Sequence, residues 1–345
     1  MKKSVFFRLD ASPEIGLGHL RRCLVLAREC GRLGSTPHFL IRSCSLDPER
    51  LDIPEGGIVS AIPWDAEPAD DAALIVRYCA DAGVDAGVLD HYRFADGYQK
   101  ILRDGGLRWM QFGNLMHCHA LEGDLVHDAS PGAKPSDYAA RAVNPRTRFL
   151  AGPSYALVGE PFRAARGDHS RGSQDEVRRV LLTFGGGDDH GATLASLDWL
   201  EAAGYRGEAV ILTTRMNPSL PAIRARSAAS TSVSLRVDDW NPAPQMAACQ
   251  LAISAGGTSL HELACLGVPA LIACIAENQV APARAWHRAG LGVLLGNIAD
   301  IPSGAAAGTI GTLLNDHKIR REMSERCMAC QDGGGASRTA AELLN

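Results

Sequence analysis

Four short stretches of this chain combine residue types and spacings that could do chemistry. The first is Gly16-Leu17-Gly18-His19-Leu20-Arg21-Arg22-Cys23, which follows a strand-like run ending at Asp10. Glycines let a backbone turn sharply and approach a ligand closely. His19 then falls in the first turn of the following helix, where the positive end of the dipole disfavours imidazolium. A neutral ring is what a general base requires. The competing reading is a buried capping histidine. The second stretch is Ser254-Ala255-Gly256-Gly257-Thr258-Ser259-Leu260-His261-Glu262. A strand enters a Gly-Gly turn and a helix begins at Thr258 or Ser259, both good N-caps. Free N–H groups and the helix dipole there form a phosphate site. Glu262, about one turn in, can accept both hydroxyls of a ribose, against the alternative of a solvated carboxylate. Phosphate plus ribose is a nucleotide.

The third stretch, Gly185-Gly186-Gly187-Asp188-Asp189-His190, can approach a diphosphate or sugar from another wall. Its adjacent carboxylates suit either a divalent cation or N-capping of the next helix. The fourth, Asp90-His91-Tyr92, ends an apolar strand, where side chains touch sugar or the attacking water. Glu277-Asn278-Gln279 adds two uncharged amides suited to hydrogen bonding with sugar or phosphate oxygens. Two further groupings read as ordinary. Cys327-Met328-Ala329-Cys330 has no second CxxC, and His117-Cys118-His119, with His127 nearby, lacks acidic partners at ligand spacing. No metal and no cofactor is expected.

The elements that must position these residues follow from length and pattern. A chain of 345 residues fits two domains of about 150 residues each. Apolar residues at 46% and charged residues at 21% are those of a globular protein. A net charge of −4 argues against nucleic acid as partner, so bound phosphates must rely on backbone N–H groups. Met1-Lys2-Lys3 runs directly into a strand, and no apolar run reaches the roughly 18 residues of a membrane span. A cytoplasmic location is therefore expected, with the ten cysteines as reduced, mostly buried thiols.

Short apolar runs alternate with amphipathic ones, the pattern of parallel sheets with crossover helices. Strands are predicted at Val5–Leu9, His38–Ile41, Gly87–Leu89, Trp109–Phe112 and Arg148–Leu150, then at Val180–Phe184, Ala209–Thr213, Ser232–Val237, Leu251–Ile253 and Ala270–Cys274. Helices are predicted at Leu20–Arg32, Ala69–Ala82, Ala192–Ala203, Ser219–Arg226, Leu260–Leu266 and Ala281–Ala289. The fold class is α/β, with two doubly wound, Rossmann-like domains and ligand bound in a cleft between them. Their boundaries are an N-terminal substrate and catalytic domain over 1–163, a linker over 164–176, and a C-terminal nucleotide domain over 177–345. The last helix is expected to pack back on the first domain.

Taken together, the motifs resemble the nucleotide-sugar hydrolases of pseudaminic acid biosynthesis, relatives of the lipid-II N-acetylglucosaminyltransferase with its glycosyltransferase-B fold. The matching pieces are Arg8-Leu9-Asp10, Gly16-Leu17-Gly18-His19 with Arg22, Asp90-His91-Tyr92, Gly152-Pro153-Ser154-Tyr155 with Glu160-Pro161-Phe162, Phe184-Gly185-Gly186-Gly187-Asp188, Ser254-Ala255-Gly256-Gly257-Thr258 with Glu262, and Asn278-Gln279. They occur in the family's order along nearly the whole chain. The resemblance implies hydrolysis of UDP-2,4-diacetamido-2,4,6-trideoxy-β-L-altropyranose to UDP and free sugar, without a metal. His19 would be the catalytic base, with Tyr92 and Asn278 also in the active site. Glu262 would hold the ribose and Gly256-Gly257-Thr258 the diphosphate. Asp10, Gly16, Gly18, Arg22, Gly186, Gly187, Ser254 and Gln279 complete the expected substrate contacts. UDP is a good leaving group, so one base suffices where glycosidases use two carboxylates.

In one place the chain departs from the family. Where the family usually has a pair of aspartates, this sequence has Met110-Gln111-Phe112-Gly113-Asn114, which bears on the identity of the sugar. Two other functions fit the same motifs: a glycosyltransferase passing the sugar from UDP to an acceptor other than water, and a nucleotide-binding subunit without catalysis. The partner expected in each case is a UDP-linked small molecule.

Overall fold

Parallel strands cannot be joined by a tight turn and need a crossover, usually a helix. Alternating apolar and amphipathic runs therefore build strand–helix–strand units, and here these assemble into two separate parallel sheets. The computed structural model describes residues 3–11, 18–42, 51–93, 96–113, 120–167 and 176–345. Contacts divide the chain into a first unit of Met1–Leu157 with Gly334–Asn345, and a second of Val158–Gly333.

The first unit runs β1 (Ser4–Asp10), α1 (Gly18–Arg32), β2 (Thr36–Arg42), β3 (Ile58–Ile62), α2 (Pro68–Ala82), β4 (Ala86–Asp90), α3 (Asp96–Asp104), β5 (Arg108–Phe112), β6 (Leu125–Asp128), α4 (Ser136–Ala139) and β7 (Arg148–Ala151). The sheet order is β3-β2-β1-β4-β5-β6-β7, so the direction of winding reverses between β1 and β4. Val5, Phe6, Phe7 and Leu9 of β1 are completely buried. A strand covered on both faces reads as a continuous apolar run, which is why β1 was legible. β4 is drawn close to it: a Cβ at Gly87 would lie 2.3 Å from the Phe6 ring, so only glycine fits.

In the second unit the order is α5 (Glu160–Ala165), β8 (Arg179–Thr183), α6 (Ala192–Ala202), β9 (Glu208–Thr213), α7 (Leu220–Ala228), β10 (Val233–Val237), α8 (Ala243–Ala247), β11 (Leu251–Ser254), α9 (Ser259–Leu266), β12 (Ala270–Cys274), α10 (Val280–Arg288), β13 (Val293–Asn297), α11 (Ser303–Asn315) and α12 (His317–Cys330). Its sheet runs β10-β9-β8-β11-β12-β13 and reverses between β8 and β11.

The final helix, α13 (Gly335–Leu344), belongs to the first unit and packs on α1. Its first residue abuts backbone, since a Cβ at Gly335 would lie 2.3 Å from the Ala156 carbonyl oxygen. Ser337 Oγ donates to Glu29 Oε2 at 2.6 Å, Arg338 Nε donates to the Ser154 carbonyl at 2.8 Å, and Glu342 pairs with Arg148.

Three strands were not predicted. β3 and β13 are mostly part-exposed, while β6 joins only two apolar residues to His127 and Asp128. The division at Leu157/Val158 also falls earlier than the expected linker over 164–176. α5 packs on α8 and α9 with Phe162 buried, which assigns that segment to the second unit. Among the described residues, no helix is long and apolar enough to cross a membrane. The eight described cysteines are unbridged, seven of them buried.

Candidate functional site

Open parallel sheets bind ligands outside the carboxyl ends of strands, where the order reverses. In the first unit that point lies between β1 and β4. His19 is the second residue of α1, and Asp90 is the last residue of β4. Nδ1 of His19 lies 2.5 Å from Oδ1 of Asp90. Asp90 is completely buried and also accepts from Arg22 through both Nε and Nη2. Burial alone would raise its pKa, but the charge of Arg22, and then His19, outweigh this and hold the carboxyl well below the usual carboxylate range. An ionised carboxylate can only accept, so Nδ1 of His19 carries a hydrogen and Nε2 is the nitrogen left for proton exchange. A carboxylate in this position orients the ring and offsets its charge when Nε2 gains a proton.

The sequence motif places Asp90 at a strand end but does not pair it with His19, as the fold does. Of Asp90, His91 and Tyr92, the sequence offers Tyr92 or His91 to the sugar or the attacking water. Only Tyr92 faces outward, at 37% exposed, with its ring edge-on to His19 at 4.9 Å between centroids. His91 is completely buried and its Nδ1 accepts from the Arg93 N–H at 3.2 Å. Burial, and then the charge of Arg8, hold His91 well below the ordinary histidine pKa. Cys23 also lies against Asp90, with Sγ 3.6 Å from Oδ2. Burial and the Asp90 charge push its pKa up, so it stays a thiol.

Two expected ligand contacts are engaged inside the unit. The Arg22 guanidinium is 3.8 Å from the centroid of the Phe112 ring as well as paired with Asp90. Asp10 accepts from Arg8 at 2.6 Å and from Arg42 at 3.3 Å, and Arg8 in turn pairs with Asp71, all four side chains being largely or wholly buried. Gly18 opens α1 with no atom near where a side chain would stand. Gly16 lies outside the described residues, as do Asn114 and His117, Cys118 and His119. His127 lies in β6, buried, with Nε2 donating to the Tyr155 carbonyl at 2.8 Å. Of the residues standing where an aspartate pair was expected, Gln111 is buried. Its Oε1 accepts from Trp109 Nε1 at 3.0 Å and the Gly123 N–H at 2.8 Å. Its neighbour Phe112 carries Arg22.

The reversal point of the second unit is built from backbone. After β8, Gly185 adopts φ +91°, which an L side chain rarely tolerates. The Gly186 carbonyl accepts from Thr214 Oγ1 at 2.8 Å, and Gly187 follows it, part-exposed. Asp188 accepts from the His190 N–H and Asp189 from those of Gly191 and Thr193, so both carboxylates serve the entrance to α6. After β11, Ser254 is fully buried with Oγ donating to the Ala255 carbonyl. Gly256, Gly257 and Thr258 lead into α9. Thr258 stands at the N-cap of α9, where the sequence puts the helix start, but with helical φ and ψ and no cap hydrogen bond from its hydroxyl. The N–H groups of Leu260 and His261 point back to the carbonyls of Gly257 and Thr258. Those of Gly257 and Thr258 have no backbone partner among the described residues. Glu262 lies in the first turn of α9, part-exposed. After β12, Asn278 is exposed in a short 3-10 turn over Glu277–Gln279, while Oε1 of Gln279 accepts from the N–H groups of Gly256 and Ile275.

No family model matches the chain. It is 26% identical over 204 residues to the spore coat polysaccharide biosynthesis protein SpsG of Bacillus subtilis, covering 58% of this chain and 59% of that one. That match therefore spans less than two thirds of the relative's length. It is 23% identical over 278 residues to the UDP-2,4-diacetamido-2,4,6-trideoxy-beta-L-altropyranose hydrolase of Campylobacter jejuni, covering 80% of this chain and 93% of that one. Among solved structures, MurG of Acinetobacter baumannii is similar with a TM-score of 0.70 and 14% identity, over 99% of both chains. The likeness shows the fold: two parallel-sheet α/β domains of the glycosyltransferase-B type.

Proposed function

We propose that this chain hydrolyses a UDP-sugar, releasing UDP and the free sugar. The observation that carries the reading is the His19–Asp90 pair at the reversal point of the first sheet, a base and its orienting carboxylate. Nε2 of His19 takes a proton from water, and the water oxygen bonds to the anomeric carbon. The bond from that carbon to the phosphate oxygen breaks, and its electron pair leaves with UDP. Asp90 holds Nδ1–H throughout, offsetting the charge the ring acquires, and Arg22 keeps Asp90 ionised and fixed. Tyr92, exposed beside the ring, contacts the sugar.

The second unit holds the nucleotide in this reading. The N–H groups of Gly257 and Thr258 and the start of α9 take up the charge of the departing diphosphate. Glu262 accepts from the ribose, and Asn278 from or to sugar and phosphate oxygens. A 2,4-diacetamido-2,4,6-trideoxy sugar is supported by the similarity to the Campylobacter jejuni hydrolase. Gln111 and Phe112, in place of an expected aspartate pair, favour one alternative: transfer of the sugar to an acceptor other than water.

The deciding experiment incubates purified protein with the UDP-linked diacetamido sugar in 18O-labelled water, with neither acceptor nor metal, and follows products by NMR and mass spectrometry. Equal release of UDP and of sugar carrying the label at C1 is expected. Intact substrate that turns over only once an acceptor is supplied would establish the transferase instead.

A further inference from the structure

Gln279 has the look of a ligand contact in the sequence, an amide at the carboxyl end of a strand. Its geometry differs. The residue closes the turn after β12 and is the first residue before α10. A single atom, Oε1, accepts from the N–H of Gly256 at 3.2 Å and from the N–H of Ile275 at 3.1 Å. Those donors sit just beyond the ends of β11 and β12, which are paired neighbours. Both partners are donors, so the oxygen and not the nitrogen of the carboxamide must face them. The rest of the residue fills the space beside Gly256, where a Cβ would lie 3.0 Å from the Gln279 Cβ and 3.1 Å from its carbonyl oxygen.

Two consequences follow. The Gly256 N–H is committed to Gln279 and is not a donor to any ligand, which leaves Gly257, Thr258 and the start of α9 for that purpose. The spacing between the Gly-Gly-Thr turn and the loop carrying Asn278 is set by one side chain that bridges them. We propose that Gln279 is a positioning residue that fixes the Gly256–Thr258 turn in the shape that receives a nucleoside diphosphate, and is not itself a ligand contact. The inference rests on the reading of that turn as the diphosphate site.

Two substitutions test it. Gln279→Met keeps the volume and loses the acceptor, whereas Gln279→Glu keeps an acceptor oxygen. With both variants confirmed folded by circular dichroism, backbone amide exchange is read by NMR and affinities for UDP and uridine by calorimetry. For Gln279→Met, faster exchange at Gly256 and Ile275 is expected. UDP should weaken about tenfold, the scale of losing two ordinary hydrogen bonds, while uridine affinity stays within about twofold. Gln279→Glu should leave both amides slow to exchange. Unchanged exchange in Gln279→Met would overturn the bridge. Equal loss of UDP and uridine would make the effect a general loosening, and loss confined to the UDP-sugar would make Gln279 a sugar contact; either overturns the inference. Wild-type protein that binds no UDP would overturn the nucleotide reading first, and the inference with it, before any variant is compared.

Discussion

At the reversal point of the first sheet stand His19, Asp90 and Arg22, with Arg8 and Asp10 of β1, Arg42 of β2 and Asp71 of α2 forming a second buried ion-pair group. At the reversal point of the second stand three glycines after β8, two more after β11, and one bridging amide. The two sheets share a topology but fill the same place with opposite materials. Proton transfer needs a side chain whose titration and orientation are set by neighbours, so charges are buried there in pairs despite their desolvation cost. Holding a diphosphate needs only donors that stay put, and backbone N–H groups at a helix start supply these without added positive charge.

That contrast can be broken in four ways, from the largest expected effect down. His19→Ala should lower kcat by about 10²- to 10⁴-fold, the usual worth of a general base, and leave UDP affinity within about twofold. Equal loss of UDP binding would make His19 structural. Asp71→Ala should strand Arg8, which is wholly buried, and lower stability to urea by about 3–5 kcal/mol, with UDP affinity of the folded protein intact. A loss under about 1 kcal/mol would mean that Asp10 alone satisfies Arg8.

Glu262→Ala should do the reverse of His19→Ala, weakening UDP by about 1–3 kcal/mol in calorimetry with little change in stability. Unchanged affinity would remove Glu262 from the site. The gentlest probe is acid. Burial lowers the pKa of His91 and His127 in the folded first unit. Each contributes stability that is present above the unfolded value of about 6.5 and lost as pH falls through the folded value. Amide exchange measured at about pH 7 and about pH 5, corrected for intrinsic rates, should lose protection in β4 and β6 before β8 and β11. Uniform loss would show that the two units do not differ in this way.

The fold was legible where burial leaves a strand no choice of residue, as in Val5 to Leu9 or Leu251 to Ile253, and illegible at part-exposed β3 and β13 or at β6, half of which is His127 and Asp128. His19 was found because glycines on its N-terminal side mark a turn into a helix. The sequence does not pair it with Asp90, because Asp90 lies 71 residues away and nothing local says which way a strand's last side chain turns. The Arg8–Asp71 pair, 63 residues apart, left no trace for the same reason. Gln279 was read as a ligand contact because an amide that binds backbone and one that binds substrate look alike in one dimension. Only the coordinates of two other loops separate them.

The return of α13 to the first unit has a consequence for how the protein is made. Glu29 meets Ser337 across 308 residues, and α1, which carries His19, rests on a helix that is translated only after the whole of the second unit. The second unit is one continuous stretch of chain and can fold as soon as it clears the ribosome. The first must wait with one face of α1 uncovered until α13 has been made. A ribosome that stalls between the second unit and α13 therefore holds a finished second unit attached to an unfinished first one. His19, on α1, acquires its full support only once α13 has been made.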